Sequence, residues 1–64
     1  MKYKVGDLIR DKRWPEDGYA VIISIGDRRT KTPYRVYCID LDILESFPKD
    51  YIEQDCVVIN EAQI

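Results

Sequence analysis

The stretch Ile43-Leu44-Glu45-Ser46-Phe47-Pro48-Lys49-Asp50-Tyr51-Ile52-Glu53-Gln54 decides the fold. It is the segment long enough to compete as a helix, and Pro48 stands in its middle. A proline inside a helix removes a backbone donor and clashes with the preceding turn, at a cost of about 3 kcal/mol. The segment therefore divides into a strand from Ile43 to Phe47 and a break at Pro48-Lys49-Asp50-Tyr51, suited to one 3₁₀ turn. Cys56 to Ile59 follows as a last short strand, with 60–64 as a loose tail.

Upstream, the pattern stays strand-like. Tyr34 to Asp40 alternates, with Tyr34, Val36 and Cys38 on one side and Arg35, Tyr37 and Ile39 on the other. Leu41-Asp42 serves as a tight connection into the strand at Ile43. Gly26 to Pro33 is the most polar segment and forms an exposed loop. Tyr19 to Ile25 is rich in β-branched residues, with Tyr19, Val21, Ile23 and Ile25 on one face and Ala20, Ile22 and Ser24 on the other. Trp14-Pro15-Glu16-Asp17-Gly18 is turn chemistry, since proline fixes φ and Asp-Gly tolerates a positive one. Val5 to Arg10 is a short strand with Gly6-Asp7 at its entry. Five short strands at this spacing predict an all-β small barrel. Its expected core is Val5, Ile9, Val21, Ile23, Val36, Cys38, Leu44, Phe47 and Val57.

Sixty-four residues allow a single domain. Such a chain buries only about 60% of the surface exposed on unfolding, so its core is thin. The longest apolar run, Ala20-Val21-Ile22-Ile23, is far short of the roughly 18 residues that span a bilayer. No basic stretch followed by an apolar one opens the chain, which leads us to expect a cytoplasmic protein without a membrane partner. There is no His, hence no imidazole base and no His-containing metal site. Two cysteines 18 positions apart do not make a four-thiolate zinc site. Gly6, Gly18 and Gly26 stand too far apart for a phosphate loop. The expectation is a non-enzymatic domain without cofactor or metal.

Three phrases carry a resemblance. Ser46-Phe47-Pro48-Lys49-Asp50-Tyr51-Ile52-Glu53 resembles the closing signature of SH3 domains, where a strand ends in Phe-Pro, a 3₁₀ turn carries a Tyr and an aliphatic-Glu pair starts the last strand. Lys4-Val5-Gly6-Asp7-Leu8-Ile9 resembles a strand entry common in SH3-like barrels, and Asp17-Gly18-Tyr19 sits where SH3 domains place Asp-Gly-Trp. The Ala-Leu-Tyr-Asp-Tyr strand of signalling SH3 domains is missing, and Tyr19 stands where a Trp would clamp proline ligands. The chain looks closer to the small stand-alone SH3-like barrels of bacteria and phages. That resemblance implies a five-stranded SH3-like barrel, with one 3₁₀ turn before the last strand, in a bacterium or an infected host cell. It also implies a groove between the first loop and that turn, bringing Trp14, Pro48 and Tyr51 together.

The expected function is a protein-interaction module that binds a peptide segment or pairs with itself through an edge strand. Its expected site is one face carrying Trp14, Tyr37, Pro48 and Tyr51, bordered by Arg13 and Arg29. Rigid rings give contact area with few rotatable bonds, and guanidinium groups orient acidic or carbonyl-bearing ligands. The competing role for Trp14 is a lid over the open end of the barrel. The alternative function is nucleic-acid binding through Arg10, Lys12, Arg13, Arg28, Arg29 and Lys31, if both basic loops project from the same end. Asp11, Glu16, Asp17 and Asp27 are interleaved with these cations and lower the local potential. Asp40 and Asp42 lack ordered calcium-loop spacing and suit a solvated surface. Cys38 and Cys56 suit small buried hydrophobes with free thiols.

Overall fold

Five antiparallel strands form in the computed structural model, which describes residues 3–14, 16, 18–27 and 29–59. They are Leu8–Asp11 (β1), Ala20–Ile25 (β2), Tyr34–Cys38 (β3), Ile43–Phe47 (β4) and Cys56–Ile59 (β5). One sheet of a small all-β domain holds them in the order β4-β3-β2-β1-β5. β2, β3 and β4 make a meander, whereas β1 meets β2 at only two positions and then pairs with β5 along its whole length. Among the described residues no helix is long and apolar enough to cross a membrane. The expected tail at 60–64 and the loop positions Pro15, Asp17 and Arg28 lie outside the described residues.

The turn before β5 is present in a wider form than 3₁₀. Tyr51–Asp55 makes one π-helical turn, entered by an Ile52 N–H donated to the Pro48 carbonyl at 3.3 Å. Two other turns rest on unusual backbone. Gly18 has φ +87°, and a Cβ there would collide with the Asp40 carboxyl. Asp42 adopts φ 57° to close the connection between β3 and β4, with its N–H donated to the Cys38 carbonyl at 2.8 Å. Asp is among the few residues that enter this left-handed region readily.

The core consists of Tyr3, Ile9, Ile22, Tyr34, Val36, Ile52 and Cys56, with Ala20, Ile25, Cys38, Phe47 and Tyr51 packed against it. Tyr3 and Tyr34 meet edge to face at 6.3 Å. The Tyr3 hydroxyl donates to the Cys56 carbonyl at 3.1 Å and the Tyr34 hydroxyl to Glu53 Oε2 at 3.3 Å.

Three expected core residues are exposed instead: Val5, Ile23 and Leu44. Val5 lies in a turn rather than a strand, because the Asp7 N–H bonds back to the Lys4 carbonyl at 3.1 Å. In β2 the cause is a β-bulge. Ile22 pairs with Val36 and Ser24 with Arg35, so Ile23 is an extra residue and the alternation slips by one. Ala20, Ile22 and Ile25 consequently face inward while Val21 and Ile23 face outward. Leu44 sits opposite Tyr37 on the outer face of the meander.

Candidate functional site

β1 ends at Asp11, whose carboxylate is only 7% exposed. It is fully partnered. The Tyr51 hydroxyl donates to Asp11 Oδ2 at 2.7 Å, and the Arg13 N–H donates to Oδ1 at 2.7 Å. Arg13 Nε lies 3.6 Å from the same carboxylate, and Arg13 Nη2 is 3.3 Å from Asp55 Oδ2. The Lys12 N–H adds a bond to the Asp55 carbonyl at 2.9 Å. The first loop is thus fastened to the π turn through one buried carboxylate.

Electrostatics follow from that geometry. Burial opposes the charged form of Asp11, yet the bonds from Tyr51 and Arg13 outweigh it and hold the carboxyl below its ordinary pKa. Burial, then the hydrogen bond to Asp11, pushes the Tyr51 phenol far above its usual value.

Beside this cluster opens a concavity of about 210 Å³. It is lined by the buried Ile9, Val36 and Ile52 together with Tyr19, Leu41, Phe47 and Tyr51. The Phe47 and Tyr51 rings pack together at 4.8 Å. Tyr19 and Leu41 are exposed, Leu41 at 63%. Arg10, Asp11, Cys38, Glu45 and Cys56 also line it. Both cysteines are free. Burial raises both thiol pKa values, and at Cys38 the Glu45 carboxylate adds to it, so each stays protonated at neutral pH.

Of the residues expected to share one face, Arg13 and Tyr51 meet at Asp11, and Pro48 stands exposed directly after Phe47. Trp14 follows Arg13 and is 53% exposed, outside the core, so it is not a lid. Tyr37 belongs to the other side of the sheet, opposite Val21 and Leu44, with its hydroxyl donated to Asp42. Arg29 lies in the connection between β2 and β3, ion-paired with Asp27 at 3.1 Å. The expected single face therefore divides between the two sides of the sheet. The two basic segments also flank opposite ends of β2, one preceding Ala20 and the other following Ile25. Asp11, Leu41, Phe47 and Glu45 were not among the expected site residues. No family model, no curated protein and no solved structure matches the chain.

The position of Trp14 gives a first expected result. Trp14→Ala should change folding stability by less than about 1 kcal/mol, against the 3 to 5 kcal/mol of a core tryptophan. Thermal melts of the two proteins decide it, and a shift above about 10 °C would place the ring in the core after all.

Proposed function

We propose that this domain is a non-enzymatic protein-interaction module whose concavity takes an apolar side chain of an extended peptide. The carrying observation is the 210 Å³ concavity walled by Tyr19, Leu41, Phe47 and Tyr51. That volume is below the roughly 300–1,000 Å³ of small-molecule and cofactor sites and suits one or two side chains. Tyr19 and Leu41 in that wall are exposed, the kind of surface that anchors peptide partners, while Phe47 and Tyr51 are half-buried against the core. Of the ionisable groups around it, Asp11 is engaged by Tyr51 and Arg13 and both thiols are protonated, while Arg10 and Glu45 also line it. Nucleic-acid binding is the weaker reading, because Arg13 and Arg29 are each paired with carboxylates and lie beyond opposite ends of β2.

Panning of a random peptide library on the immobilised domain, followed by amide chemical-shift mapping, tests this. Selected peptides should share an apolar anchor, shift the amides around Tyr19, Leu41 and Tyr51, and slow the reaction of Cys38 with a thiol reagent. Leu41→Asp should weaken them at least tenfold, about 1.4 kcal/mol. Undiminished binding by that variant would remove the concavity from the site. Steeply salt-dependent binding of mixed-sequence DNA or RNA would move the function to the basic loops instead.

A further inference from the structure

β4 turns two residues inward, Glu45 and Phe47, and leaves Ile43, Leu44 and Ser46 exposed. Glu45 stands directly opposite Val36, which has no exposed surface, so its stem lies over the core on the side of the concavity. Along the chain it falls between Leu41 and Phe47, two residues of the apolar wall. Its carboxylate is close enough to Cys38 to raise the pKa of that thiol. Among the described residues it takes part in no ion pair and no hydrogen bond.

The other charged residues of the lining differ from it. Arg10 alternates with the buried Ile9 and Asp11, so its side chain stands on the opposite face of β1. Asp11 is engaged by Tyr51 and Arg13. Glu45 is therefore, among the described residues, the one charged side chain of the inner wall without a partner.

We propose that the peptide held in this concavity carries an arginine beside its apolar anchor, with the guanidinium paired to Glu45. This rests on the peptide reading above and adds the chemistry that selects among peptides. A purely apolar occupant would strip water from Glu45 and leave its charge unpaired, which is costly. An arginine removes that penalty. Its guanidinium meets a carboxylate through two parallel N–H donors, is more weakly hydrated than an ammonium, and stacks on aromatic faces such as those of Tyr19 and Tyr51. Its methylenes cover apolar wall on the way. An extended peptide turns alternate side chains to one side, so the arginine falls two positions from the anchor. An inward charge on an edge strand also deters pairing with another sheet, but a residue with that role alone would leave the choice of peptide untouched.

A random peptide library panned in parallel on the wild-type domain and on Glu45→Gln tests this. Wild type should enrich arginine two positions from an apolar residue, whereas Glu45→Gln should enrich the apolar residue alone. In the tightest wild-type peptide, replacing the arginine by glutamine should weaken binding to wild type at least about tenfold, and to Glu45→Gln less than about twofold. Peptides from wild type that share an apolar anchor and no arginine overturn the inference and leave the peptide reading standing. So does arginine enriched equally by both proteins. No enriched peptide at all, or binding that leaves the amides around Tyr19, Leu41 and Tyr51 unshifted, overturns both. The change within the peptide needs no protein variant, so poor folding of Glu45→Gln would not stop the test.

Discussion

Ile52→Ala is expected to remove about 2 to 5 kcal/mol of folding stability. Native domains carry about 0.05 to 0.15 kcal/mol per residue, so a chain of this length has roughly 3 to 10 kcal/mol in total. Ile52 has no exposed surface and contributes to the core from the π turn rather than from a strand. Its loss leaves a void among Ile9, Val36 and Cys56 that rigid strands close poorly. The melting temperature should fall by about 10 °C or more, since 1 kcal/mol is worth about 4 to 8 °C in a domain this small. Leu44→Ala is the matching control, an aliphatic residue of similar size on the outer face, and should stay within about 0.5 kcal/mol of wild type. Urea unfolding of the three proteins checks the contrast. Similar losses in both variants would mean that the π turn is not a structural part of the core.

Ile52 also marks where sequence reasoning stops. Its neighbourhood was legible as a break before the last strand, because Pro48 forbids a continuous helix whatever the tertiary context. What the break would bury depended on the width of the turn, and nothing local in Lys49-Asp50-Tyr51-Ile52 states that. β3 was readable face by face, since Arg35 and Tyr37 alternate with Tyr34, Val36 and Cys38 and only one assignment satisfies burial. β2 was not. Ala20 to Ile25 is apolar on both faces, so a bulge at Ile23 leaves no trace in the pattern while it reverses the inward set. The site divides in the same way. Tyr51 stood out as a ring on the turn before the last strand and Arg13 as a cation bordering the expected groove. Asp11, directly before Lys12 and Arg13, looked like one more solvated loop charge. Its burial is created by Tyr51, 40 positions away, and by an outcome of folding that spacing does not encode.

Asp11 also provides the sharpest dependence on conditions. Asp11→Asn should cost about 2 to 3 kcal/mol at neutral pH, because charge-assisted bonds from Tyr51 and Arg13 are replaced by weaker ones in a nearly closed site. The pKa of Asp11 is lowered in the folded state, relative to about 3.9 in an unfolded chain. Its stabilising contribution is therefore complete above about pH 4 and is lost as pH falls through the lower folded value. Asp27 is also lowered, by its contact with Arg29, but it is present in both proteins and cancels in their difference. Urea midpoints at neutral pH, near pH 4 and well below it should show the gap between wild type and Asp11→Asn closing only in acid. At the alkaline end the sign reverses. The Tyr51 phenol is raised, so its contribution holds below about pH 10 and fades as pH climbs toward the folded value. Tyr51→Phe should reduce the alkaline slope without abolishing it, because the Tyr3, Tyr34 and Tyr37 phenols and both thiols are raised as well. It should keep part of the acid one, since Arg13 still holds the carboxylate. A gap between wild type and Asp11→Asn that stays constant from neutral to acid pH would show that the ionised carboxylate does not fasten the first loop to the π turn.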